Sequence, residues 1–137
     1  MSKRDADGRT PAIRVIMMPK DTNALGTIFG GIILSYIDQA GAVEGHRHVQ
    51  GKLVTVAMRE VEFHAPVLVG DLVSFYTETL RLGRTSVTVK VVVEAERRLA
   101  TTSGRSKVTE AEVVYVHVDE LGRPAPIIPA QPEDAHP

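Results

Sequence analysis

Asp38 stands in the middle of an almost wholly apolar segment, and no Lys or Arg lies three or four positions away on either side to neutralise it. A carboxylate among such neighbours is costly unless it is hydrogen-bonded, and burial raises its pKa toward the range of a useful base. Two roles stay open on the residues alone: a proton acceptor at a functional site, or a structural hydrogen-bonding group. Gly30 and Gly31 open the same segment. The first amides of a helix lack intrahelical partners, and with the helix dipole they suit an anion or a developing oxyanion. The competing reading is that the two glycines only let another element pack closely.

Other chemistries find less support. Gly26, Gly30 and Gly31 are not followed by the Lys-Ser/Thr of a phosphate loop, and no G-x-G-x-x-G is present. No G-x-S-x-G elbow occurs, so a serine triad is not expected. Cys is absent, which removes thiolate nucleophiles, thiolate metal sites and disulfides, and fits a reducing cytoplasm. His46 and His48 are two apart at a helix end and do not share a face, and His64, His117 and His136 are scattered, so no metal site is expected. The basic residues Arg84, Arg97, Arg98, Arg105 and Lys107 fall near hairpin ends and read as solvated charge in the absence of a known ligand. A net charge of -1 gives no electrostatic reason to expect nucleic acid or an anionic membrane, and the longest apolar run is too short to span one.

The elements that must position these residues can be read from periodicity. The 137 residues suggest one domain. From Gly30 to about Gly45 the pattern is helical, with Ile33, Ile37, Ala40 and Gly41 on one stripe. Strands are predicted over 12–18, 53–64, 71–82, 85–96 and 105–119; the fourth alternates cleanly through Val87, Val89, Val91, Val93 and Ala95. One helix and one antiparallel sheet give an α+β fold. A single sheet covers only one side of so apolar a helix, so a dimer is expected, with edge strands gaining from pairing across it. Residues 1–10 are polar, and 125–137 are proline-rich; both are expected to lie outside the fold as flexible tails, leaving 11–124 as the domain.

"MPKDTNALGTIFGGIILSYIDQAGA" (18–42) resembles the signature of hot-dog-fold acyl-CoA thioesterases of the YciA / ACOT type: Asp-x-Asn-x-x-Gly-x-x-Phe/His-Gly-Gly, then a helix carrying Asp. Asp21, Asn23, Gly26, Phe29, Gly30, Gly31 and Asp38 match it, and "VEFHAPVLVGD" (61–71) is similar to the family's Pro-Val-x-x-Gly-Asp turn. The resemblance implies a hot dog fold, a curved antiparallel sheet wrapped around one long helix, and hydrolysis of fatty acyl-CoA to free acid and CoA. It implies that Asp38 of one subunit faces Asn23 of the other across a dimer, with dimers assembling to hexamers as trimers of dimers. Asp38 is then the general base or, less readily, a nucleophile; Gly30 and Gly31 hold the oxyanion; Asn23 orients water or carbonyl; and Ile33 and Ile37 flank the acyl chain. Arg84, Thr85, Ser86 and Arg105, with Lys107, are the candidates for contacts to the CoA moiety. No cofactor and no metal is implied, since CoA is part of the substrate.

Two alternatives are carried. One is a non-catalytic acyl-CoA-binding or sensing hot-dog module, although no basic DNA-recognition helix accompanies the fold. The other is a hot-dog enoyl-CoA hydratase, which would pair the Asp with a nearby His, whereas the next His after Asp38 is His46.

Overall fold

A computed structural model describes residues 8–97 and 104–130. Strand β1 (Ile13–Ile16) leads through a single helical turn (Pro19–Asp21) and a loop into helix α1 (Gly30–Gly45). Strands β2 (Val49–Gln50), β3 (Lys52–Arg59), β4 (Leu72–Leu82), β5 (Ser86–Glu96), β6 (Arg105–Val118) and β7 (Ile128–Pro129) follow. Five strands form one sheet in the order β1-β4-β5-β6-β3, every pair antiparallel, and β2 pairs with β7 in a small second sheet. Register shifts between Thr55 and Ala57, Thr79 and Arg81, and Val93 and Glu94 mark bulges, which add twist and let the sheet curl around the helix. No helix among the described residues is long and apolar enough to cross a membrane.

The helix lies on the sheet by the stripe that its sequence sets. Ile33, Ile37 and Ala40 are fully buried, as are Val73, Phe75, Val87, Val89, Val91 and Val93 on the strands that face them. Tyr36 meets Phe75 at 5.6 Å between ring centroids. Each such side chain contributes roughly 1.5–3 kcal/mol of transfer free energy. The opposite side is open: Gly31, Ser35, Gln39 and Val43 are exposed. Asp38, expected to be dry, is only half-buried, because it flanks the stripe instead of lying on it.

The acid that the helix does bury is Glu44, six residues on and on a different face. Thr79 Oγ1 donates to it at 2.8 Å and Thr77 Oγ1 at 3.1 Å, while Arg47 and His48 approach at 3.9 and 3.4 Å. Burial pushes the Glu44 carboxyl up, but the two hydroxyls, the Arg47 guanidinium and His48 together outweigh it and hold the group below its ordinary range.

Three boundaries differ from expectation. The strand predicted over 53–64 stops at Arg59, because Glu60 takes a left-handed φ of 59° that breaks the extended run. The segment 125–130, expected outside the fold, is docked: Ala125, Ile127 and Ala130 donate their amides to the carbonyls of His117, Arg84 and His48. At the other end Arg9 makes a two-point ion pair with Glu94 and stacks on Tyr76 at 3.9 Å. Residues 1–7 and 131–137 lie outside the described residues.

Glu44→Ala removes the acceptor of two threonine hydroxyls and is expected to cost about 2 kcal/mol at pH 7, measured by urea denaturation. A depressed carboxyl stabilises the fold above its ordinary value of 4.5 and loses that contribution as the pH falls below it. The gap between wild type and variant should therefore narrow in acid.

Candidate active site

Asp38 is held at two points by one rung of the sheet. Its carboxylate Oδ1 accepts a hydrogen bond from Thr55 Oγ1 at 2.7 Å, and its main-chain carbonyl accepts one from the Tyr115 hydroxyl at 2.6 Å. Thr55 on β3 and Tyr115 on β6 are direct cross-strand partners, so both donors come from the same register position. The β3 bulge falls immediately after Thr55. Among the described residues the second carboxylate oxygen, Oδ2, accepts no hydrogen bond. Burial pushes the Tyr115 phenol far above its usual range, and the Asp38 charge and hydrogen bond push it further, so it stays a donor.

Gly41 makes this arrangement possible. A Cβ built there would lie 2.2 Å from the Tyr115 hydroxyl and about 3 Å from its ring. Sequence reading placed Gly41 on the core stripe but gave it no role, and it missed Thr55 and Tyr115. Thr55 leaves a trace as the polar residue of "LVTVAM"; that it pairs with Tyr115 depends on register, which no local pattern encodes.

Asn23 organises the loop before the helix. Its Oδ1 accepts from the amides of Leu25 (2.8 Å) and Thr27 (3.2 Å), and its Nδ2 donates to Thr27 Oγ1 (2.9 Å). Its main chain closes the same loop, through Asn23 N–H to the Thr27 carbonyl and Gly26 N–H to its own carbonyl; Gly26 turns at φ 87°. The loop delivers the chain to Phe29, the N-cap of α1, which has no side-chain acceptor and leaves the first-turn amides without a side-chain cap. A Cβ at Gly31 would meet nothing within 4 Å, and one at Gly30 would make only ordinary contact with Phe63 at 3.5 Å. Packing within the chain therefore does not require the glycine pair. A cleft of about 360 Å³ opens at this helix start, walled by Thr27, Ile28, Gly30, Ile33, Phe63 and His64 among others.

One chain does not bring the predicted residues together. Asp38 lies two turns, about 12 Å, along the helix from Gly30, and Asn23 sits before the helix begins. Of the two apolar candidates, Ile33 reaches the cleft wall, but Ile37 is sealed in the core with no exposed surface and is not available to an acyl chain. The CoA candidates are also split. Arg84, Thr85 and Ser86 form the β4–β5 turn, where the Arg84 side chain is exposed and the Thr85 carbonyl accepts from the His117 amide. Arg105 pairs in register with Glu96 at the far end of β5, some ten residues or about 33 Å away, and approaches Glu94 at 3.5 Å. Within a chain these four do not make one site. His46, the C-cap of the helix, is exposed and about 12 Å along the axis from Asp38, so within the chain it does not pair with Asp38 as a hydratase would require.

A curled antiparallel sheet around one helix is the hot-dog arrangement. The sequence matches the Thioesterase superfamily over residues 25–101, and the chain belongs to that family. An uncharacterized acyl-CoA thioester hydrolase of Zymomonas mobilis is 42% identical over 119 residues, covering 87% of this chain and 78% of that protein. The acyl-CoA thioester hydrolase YciA of Escherichia coli is 40% identical over 113 residues, covering 82% and 86%. Among solved structures, a hexameric hotdog fold thioesterase of Campylobacter jejuni superposes with a TM-score of 0.82 at 39% identity, covering 90% of this chain and 93% of that one.

Replacing Asn23 with Ala should free the Leu25 and Thr27 amides while leaving the fold intact. Hydrogen exchange followed residue by residue is expected to show those two amides exchanging at least tenfold faster, with the β5 and β6 amides unchanged.

Proposed function

We propose that this chain hydrolyses acyl-CoA thioesters to a carboxylic acid and CoA, with Asp38 as the general base. The observation that carries the reading is the carboxylate itself: one oxygen is fixed by Thr55, and the other is free on the half-exposed side of the helix, in a chain of the Thioesterase superfamily. Asp38 Oδ2 takes a proton from a water whose oxygen attacks the thioester carbonyl. The negative charge that develops on the carbonyl oxygen is met by the amides of Gly30 and Gly31, a donor set worth on the order of 3 kcal/mol for one well-placed N–H. Collapse of the tetrahedral species breaks the C–S bond and expels the CoA sulfur, which takes up the proton. The Thr55 hydroxyl keeps Oδ1 occupied and so decides which oxygen faces the water.

The donors come from a second copy of the chain. Separation along the helix keeps Asp38 and the Asn23–Gly31 segment apart within one subunit, and β3 is an edge strand whose outer residues Val54 and Val56 are 38% and 56% exposed. An apolar edge strand seeks a partner strand. Pairing two β3 edges joins two sheets and sets Asp38 of one subunit against Asn23, Gly30 and Gly31 of the other. Dimers then assemble to a hexamer, the state in which the Campylobacter jejuni structure is described. The CoA moiety meets Arg84, Thr85 and Ser86 from one subunit and Arg105 from another, which reconciles their separation. The reaction needs no cofactor and takes place in the cytoplasm.

Asp38→Asn should keep the fold and the assembly and lose at least a hundredfold in kcat, with CoA release followed by a thiol reagent over a panel of acyl chain lengths; wild-type turnover in that variant refutes the base. Thr55→Val should lower kcat about tenfold with little change in KM. Mixed oligomers of Asp38→Asn and Asn23→Ala subunits are expected to regain activity, because each mixed pair contains one intact site; no recovery would exclude a shared site.

A further inference from the structure

Hydrophobic contact is non-directional and places a helix on a sheet only loosely, whereas a base must hold its geometry to about 0.5 Å. The buried stripe of α1 runs along β4 and β5, and Asp38 lies to its side, where that packing determines least. What fixes the helix at this point is Tyr115. Its hydroxyl donates to the Asp38 carbonyl at 2.6 Å, although in a regular helix that carbonyl already accepts from the amide of residue 42. The phenol is thus an additional donor aimed at the one residue whose side chain the next strand also holds. Tyr115 is itself buried to 1% exposure, and it fits only because Gly41 presents no side chain to its hydroxyl. A ring seated in the gap at Gly41 sets how far the helix can rotate, and the hydrogen bond sets where it stops along its axis.

We propose that Tyr115 is a positioning residue for Asp38: through the Asp38 carbonyl and the gap at Gly41 it holds the helix register in which the carboxylate meets Thr55. The proposal rests on Asp38 being the base. Tyr115 is bonded to the Asp38 main-chain carbonyl, and its effect passes through the residue it holds.

The test is Tyr115→Phe, which keeps the ring and removes the donor, assayed with the acyl-CoA that the wild type turns over fastest. The expected result is a kcat about tenfold lower with KM within twofold and the oligomer unchanged. Thr109→Val supplies the control for mere loss of stability, since Thr109 is another fully buried β6 hydroxyl, bonded to the Glu62 carbonyl away from Asp38; its kcat should stay within twofold of wild type. Gly41→Ala, which displaces the phenol, should lower kcat in the wild-type background and lower it less in the Tyr115→Phe background, where the hydroxyl contact is gone and only the ring contacts near 3 Å remain. Wild-type kcat in Tyr115→Phe alongside an inactive Asp38→Asn would overturn the positioning role alone. Equal losses in Tyr115→Phe and Thr109→Val would overturn it as well. Full activity in Asp38→Asn would instead remove the base on which the proposal stands.

Discussion

A single apolar helix lying on a single sheet is the constraint on which the rest of this structure depends. Ile33, Ile37 and Ala40 need a dry surface, and the valines at 87, 89, 91 and 93 supply it. Only a curled sheet can follow the helix across its width, and the bulges in β3, β4 and β6 provide the curl. The same geometry leaves the far side of the helix uncovered. That open side carries Asp38, so burial of one face and availability of the acid on the other are two results of one packing choice.

The helix carries two acids with opposite circumstances. Glu44 faces the sheet and is satisfied there by two threonine hydroxyls, with Arg47 and His48 alongside. Asp38 faces outward and is bound through one oxygen only. Full satisfaction suits a structural carboxylate, because every lone pair left dry is costly. Partial satisfaction leaves an oxygen reachable from outside the helix. The difference arises from six residues of helical rotation, not from residue type.

Much of the fold could be read from periodicity. The helix begins at Gly30 and ends at Gly45 where the pattern changes, and β5 runs over its alternating valines. Other features depend on contacts distant in sequence. The prolines near the end suggested loose chain, yet proline lacks only its own donor; Ala125, Ile127 and Ala130, set between prolines, supply the amides that dock the segment. No glycine announces the left-handed Glu60 that ends β3. Asp38 was counted as buried from its neighbours along the chain, whereas exposure follows its neighbours around the helix. Thr55 and Tyr115 belong together only through the register of β3 on β6. The scattered basic residues could not be sorted into a site, because one chain holds them at opposite ends of β5.

The Asn23 loop makes its residue polar in one direction only. A side-chain amide has one oxygen with two lone pairs and one nitrogen with two hydrogens. Both lone pairs are occupied by the Leu25 and Thr27 amides, and one hydrogen by Thr27 Oγ1. A single N–H remains. Whatever approaches this side chain meets a donor and not an acceptor, and the orientation cannot invert, because flipping the amide would set its nitrogen against two backbone N–H groups. The loop therefore tells an oxygen lone pair from a hydrogen by its own internal bonding, before any ligand contributes to the geometry.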